Sequence, residues 1–136
     1  MQLPQYTFTA NTTSTGIFLS VSILNGIRPT TVRLWRGNNP VNRDFRYPII
    51  GAAFWSTIIQ ESSTKPFTWQ VFAPNPSKGY QALMMELEFD NFVTSLPPVK
   101  ITTSSYIIPD TYICAKGSSI SIEIFLFLAS VIFHFL

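Results

Sequence analysis

Apolar and polar residues alternate along most of the chain up to residue 108, and the alternation comes in short runs. Tyr6 and Phe8 alternate with Thr7 and Thr9. Ile17, Leu19, Val21 and Ile23 share one side, with Ser20 and Ser22 on the other. Val32 and Leu34 alternate with Arg33 and Trp35, and Phe67, Trp69 and Val71 with Thr68, Gln70 and Phe72. Leu83, Met85, Leu87 and Phe89 form another stripe, and Ile101, Thr103 and Ser105 close the series. A period of two places successive side chains on opposite faces of a sheet, so each run predicts a half-buried antiparallel strand. The stretch IIGAAFWSTIIQ, residues 49–60, is apolar on both faces and predicts a central strand. Turn signals separate the runs: Asn25-Gly26, Gly37-Asn38-Asn39-Pro40, Pro74-Asn75-Pro76 and Pro97-Pro98.

Seven short strands so punctuated predict an all-β fold, an antiparallel β-sandwich of immunoglobulin or fibronectin type III character. Its core is expected to include Val21, Leu34, Trp55, Trp69 and Leu87. The sandwich is expected to occupy residues 1–113, a small polar linker residues 114–119, and a hydrophobic tail residues 120–136.

Composition changes this picture in a few places. The chain has 136 residues, enough for one domain with its own core, and is 46% hydrophobic and 15% aromatic, unlike a disordered polar chain. A net charge of +2 and the lack of a long basic run argue against nucleic acid as a partner. One cysteine, Cys114, rules out an intrachain disulfide framework and a multi-cysteine zinc site. The one histidine, His134, lies in the apolar tail, away from any ordinary catalytic arrangement. The N-terminus has no basic segment followed by an apolar one, so no signal peptide is expected there. The chain reads either as cytosolic or as part of something longer. Asn11-Thr12-Thr13 fits the N-glycosylation acceptor pattern, whereas proline disqualifies Asn75-Pro76-Ser77.

Charge is scarce, at 12%, yet all five arginines fall between Arg28 and Arg46 and all four lysines come later. Arginine offers a rigid fork of donors and a plane that stacks on aromatic rings. Two readings stay open for Arg36, Arg43, Asp44 and Arg46. In one, the arginines and Asp44 pin a long connection to its own scaffold, as such loops require. In the other, the loop is an interface, since arginine and tryptophan often dominate binding surfaces. A phosphate or substrate clamp is not expected, because no Gly-rich loop or nucleophile accompanies the cluster. Glu86 and Glu88 share a strand face and read as a solvated surface. The tryptophans read as core residues ahead of a sugar-binding platform.

The segment from Val32 carries an ordered set of motifs: Leu34-Trp35, Asn39-Pro40, Arg43-Asp44-Phe45-Arg46, Ile50-Gly51 and Trp55-Ser56. It is followed by KGYQALMMELEF from Lys78 and ITTSSYIIPD from Ile101. Over residues 3 to 113 this resembles the C-terminal β-rich part of the PhoPQ-activated pathogenicity-related protein family, the autocrine proliferation repressor-like proteins. In that family the β-rich part follows an α/β-hydrolase-like domain with a Gly-x-Ser-x-Gly-type nucleophile turn. This sequence has no such turn. The resemblance therefore implies a non-catalytic, extracellular domain acting through protein contacts; its expected membrane association comes from the tail. It implies no cofactor, no metal and no small-molecule substrate; the expected partner is a protein or a hydrolase-like domain. The alternative is a fragment or detached subunit of a hydrolase-like enzyme whose catalytic half lies elsewhere.

The tail, Ile120 to Leu136, is apolar except for serines, Glu123 and His134. As a helix it would reach roughly 25 Å, marginal for a bilayer core. It is hydrophobic around its circumference, which disfavours a surface helix. No basic residue follows it, and Gly117-Ser118-Ser119 precedes it, which suits a lipid-anchor signal as well as a spanning helix. Burial in a partner ranks below either form of membrane association.

Overall fold

The computed structural model describes residues 2–46, 54–91 and 95–110. The eight strands are β1 (Tyr6–Thr12), β2 (Gly16–Ile23), β3 (Thr31–Asn39), β4 (Phe54–Ile58), β5 (Thr68–Pro74), β6 (Tyr80–Phe89), β7 (Val99–Thr102) and β8 (Tyr106–Ile108). All described pairings between strands are antiparallel. The all-β expectation holds, and no helix occurs among the described residues.

A three-stranded sheet has the order β1-β2-β5. A five-stranded sheet has the order β4-β3-β6-β7, with β8 also pairing β6. β7 lies beside Glu86–Phe89 and β8 beside Gln81–Leu83, so the two strands follow one another along the same edge of β6. Thr103 bridges the interruption between them: its N–H donates to Met85 O at 2.9 Å, and its Oγ1 accepts from Met85 N at 3.0 Å. The sequence pattern shows one strand here, because apolar alternation continues through the break.

The alternating residues converge on one core fed by both sheets. Ile17, Leu19, Val21 and Trp69 come from the smaller sheet, and Val32, Leu34, Leu83, Met85, Leu87 and Ile108 from the larger. Phe8 and Tyr106, on opposite sheets, meet with ring centroids 5.8 Å apart. Each such side chain contributes about 1.5–3 kcal/mol by leaving water.

Two expectations need correction. The stretch 49–60 is described from Phe54, and there it forms an edge strand, not a central one. Trp55 accordingly is 38% exposed, while Val21, Leu34, Trp69 and Leu87 are buried. The apolar content is genuine. The larger sheet is faced by one a strand narrower, so among the described residues its edge keeps apolar side chains without a cover on either face. The linker and tail, residues 114–136, lie outside the described residues, as do Cys114, His134 and Ile50-Gly51.

Candidate functional site

β3 and β6 position most of the residues singled out by the sequence. Their register, Trp35↔Met84 and Gly37↔Ala82, puts Trp35, Gly37, Ala82 and Met84 on the outer face of the larger sheet. Phe54 joins them from β4, opposite Gly37. Gly37 has no side chain to fill the space between them, which leaves a pit of about 120 Å³ lined by Trp35, Phe54, Ala82 and Met84. Further along the same face the charges gather. Arg33 lies 3.6 Å from Glu88, and Lys100 lies 3.3 Å from Glu88 and 3.6 Å from Glu86. Glu86 and Glu88 are thus paired with cations, but the expected solvated face holds only at Glu88: Glu86 is 9% exposed, covered by its neighbours on the central strand β6.

The arginines that cluster in the sequence go to separate places. Arg28 pairs with Glu61 and lies over the Phe67 ring, 4.4 Å from its centroid. Arg36 projects from the opposite side of β3 to Trp35, between Leu83 and Trp55 across the sheet. Among the described residues its Nε is buried without a hydrogen-bond partner, as is the Trp35 Nε1. Arg43 lies over Tyr80, 5.6 Å from the ring centroid. Arg46 grips Asp44 side-on: Nε donates to Oδ1 at 2.9 Å and Nη2 to Oδ2 at 2.5 Å, and the Arg46 backbone N–H donates to Oδ1 at 3.1 Å. The arginine hydrogen bonds hold the Asp44 carboxyl below its ordinary value, and the same pairing raises Arg46.

Asp44 therefore lies in a loop between strands and bonds an arginine and a backbone N–H of its own domain, as the pinning reading expects. The pin itself is a residue that the charge pattern did not single out. Asn39, only 4% exposed, uses both ends of its amide. Its Nδ2 donates to Asn42 Oδ1 at 2.9 Å and Asp44 O at 2.6 Å. Its Oδ1 accepts from the N–H groups of Val41 at 3.0 Å and Asn42 at 3.2 Å. A buried amide must be bonded in this way or it destabilises the fold. Gly79 holds the loop from beneath. Its φ is +69°, and a Cβ there would lie 2.4 Å from both Asn39 O and Pro40 Cα. The Asn-Asn-Pro sequence marked a turn, but not its contact with Gly79.

The second feature is the free edge of β4. Ile59 N–H donates to Val32 O at 2.9 Å. Antiparallel bonding alternates, so Trp55 and Thr57 aim their backbone groups at β3. Phe54, Ser56 and Ile58 aim theirs outward, with no partner strand among the described residues. Edge strands are commonly protected by lysine, proline or a bulge; the β4 sequence FWSTI has no charge and no proline. Phe54, Trp55 and Ile58 are 40%, 38% and 59% exposed. The free edge of β5, by contrast, is partly covered by the bridge of Glu61 to Trp69 and by Ser62 N–H to Thr68 O at 2.8 Å.

The arrangement offers backbone donors and acceptors, an apolar pit and arginine planes: equipment for holding a chain segment. Among the described residues no group of His, Cys, Asp and Glu could hold a metal ion, and no helix is long and apolar enough to cross a membrane. Asn11 is exposed on β1. Comparison with known protein families, curated proteins and solved structures finds no match to this chain.

Proposed function

We propose that this chain is a non-catalytic binding domain that takes up a protein partner by strand addition at β4. The observation that carries the reading is the β4 edge, apolar on both faces, with no lysine, proline or bulge in the strand and its outward backbone groups open to pairing among the described residues. Strand addition gains affinity from main-chain bonds and specificity from pockets for alternate side chains. The Gly37 pit is such a pocket, one strand in from the edge.

The fold supports a finer assignment. In chain order, β1-β2-β5 facing β4-β3-β6-β7 follows the immunoglobulin and fibronectin type III pattern, with β3 and β6 as the central strands of the second sheet. The ordered motifs from Val32 to Asp110 support membership of the PhoPQ-activated pathogenicity-related, autocrine proliferation repressor-like proteins. On that reading the partner is the α/β-hydrolase-like domain to which this part is joined in the family. The chain acts extracellularly, and the apolar stretch 120–136 holds it at a membrane. The lack of a nucleophile turn and the position of the only histidine, at 134, support a role without catalysis.

Ser56→Pro tests the docking. Proline removes an outward N–H and leaves the bonds to β3 intact, a position an edge strand tolerates. In calorimetric titration of the full chain in nanodiscs with a hydrolase-like domain of the family, the substitution should weaken binding at least about tenfold, 1.4 kcal/mol. Binding unchanged by Ser56→Pro, or absent in the unsubstituted chain, overturns the reading.

A further inference from the structure

The outer face of the smaller sheet is polar except at one end. β2 directs Phe18, Ser20 and Ser22 outward, and β5 directs Thr68, Gln70 and Phe72. Ser22 and Thr68 bond each other at 2.9 Å across this face. At the far end stands an aromatic pair, Phe18 and Phe72, with ring centroids 4.6 Å apart and an interplanar angle of 44°. Phe72 has an evident structural duty. Its ring lies over Gly16, where an added Cβ would come within 2.8 Å of Phe72 Cζ. Phe18 has no such duty and is 52% exposed.

The residue directly opposite Phe18 on β1 is Asn11, and directly opposite residues share a sheet face. Asn11, Phe18 and Phe72 therefore form one row across the sheet. Asn11 is exposed, and no hydrogen bond of its side chain is found among the described residues. It opens the acceptor pattern Asn11-Thr12-Thr13. Thr13 in the folded chain is occupied: its Oγ1 donates to Gly16 O at 3.1 Å and accepts from Gly16 N at 3.2 Å, closing the β1–β2 turn.

We propose that Asn11 carries an N-linked glycan whose first N-acetylhexosamine packs on the Phe18 ring. The inference rests on the extracellular part of the function proposed above. The donor is a polyprenyl diphosphate-linked oligosaccharide. The Asn11 amide nitrogen forms a bond to the sugar's anomeric carbon and loses one proton. The bond from that carbon to the diphosphate oxygen breaks, and the lipid diphosphate leaves with the electron pair. Transfer precedes closure of the hairpin, because the folded turn engages the Thr13 hydroxyl. Once the strands pair, the sugar is brought beside an exposed ring. One face of a pyranose presents C–H groups with slight positive charge, which suit the negative face of an aromatic ring. The sugar also takes apolar ring surface out of water. An exposed aromatic on an otherwise polar sheet face, one strand from an acceptor asparagine, is thereby accounted for.

The full chain, directed into the secretory pathway of cultured eukaryotic cells, provides the test. Peptide mass mapping before and after treatment with a glycosylamine-cleaving amidase should show occupancy at Asn11, and Asn11→Gln should abolish it. The packing is read from a cycle of glycosylated and deglycosylated protein with Phe18 or Phe18→Thr. The glycan should raise Tm by about 2–5 °C with Phe18 and leave it unchanged with Phe18→Thr. An unoccupied Asn11 in secreted protein overturns the proposal. So does occupied Asn11 whose glycan shifts Tm equally in both backgrounds. Asn11 and β4 lie on different sheets, so either result leaves docking at Ser56 as a separate question.

Discussion

The loop after β3 is held from within by a buried amide, whereas the turn before β5 is held at the surface by an ion pair. In the first, Asn39 carries no charge, is 4% exposed, and bonds three residues of the loop that follows it. In the second, Glu61 Oε1 accepts the Phe67 N–H at 2.6 Å while its Oε2 pairs with Arg28, whose guanidinium covers the Phe67 ring. Phe67 has φ of 55°, a left-handed conformation that costs a non-glycine residue about 1–2 kcal/mol. The turn keeps that conformation because the carboxylate, the guanidinium and the ring hold one another. The loop after β3 puts its special backbone into Gly79 instead, on the neighbouring strand connection. A buried neutral pin should be insensitive to pH and salt, and a surface ionic one sensitive to both.

Four substitutions or conditions sharpen the contrast, from the largest expected effect down. Gly79→Ala should be the most disruptive, at about 3 kcal/mol in denaturant unfolding, because strain at positive φ adds to contact with the Asn39–Pro40 backbone. A loss below that of an exposed strand alanine would show that the loop is not seated on Gly79. Asn39→Ala should cost about 2 kcal/mol by leaving loop donors without acceptors. It should also release Arg43 from Tyr80, seen as a change in tyrosine fluorescence. At Phe67, alanine and glycine both lose the ring, but glycine should be the more stable by about 1 kcal/mol because only it is at ease at that φ. Equal stability would remove strain from the account of this turn.

The smallest effect is acid sensitivity. Glu61 is lowered chiefly by the Phe67 backbone hydrogen bond and then by Arg28, and Asp44 chiefly by the Arg46 side chain. A carboxyl lower in the folded state than in the unfolded one binds fewer protons when folded. Its contribution is present above the unfolded value, about 4, and is lost as pH falls through the folded one. The melting temperature should therefore fall as the pH drops below about 4.5. Glu61→Gln should flatten that acid limb more than Asp44→Asn, since Glu61 also holds a strained residue. Identical acid limbs in the two variants would show that Glu61 contributes no more to its turn than Asp44 does to the loop after β3.

Much of the fold was legible in the chain. Strict alternation of residue types gave the strands and named Val21, Leu34, Trp69 and Leu87 as core, because a period of two leaves little choice of face. The turn dipeptides marked where the chain reverses, and a connection containing Arg43, Asp44 and Arg46 followed from them. Asn39 escaped notice because an asparagine before proline reads as a turn residue whether its side chain faces water or the interior. Trp55 was misplaced because an apolar run looks alike at the centre of a sheet and at an uncovered edge. The sequence by itself determined secondary structure type, core composition and a loop rich in arginine, all local consequences of residue chemistry. Only the tertiary structure decided that five arginines close in sequence go to separate places, that β4 forms an edge among the described residues, and that Asn11 stands opposite Phe18. Each of these depends on strand order and register, which pair residues far apart in the chain and which no local pattern encodes.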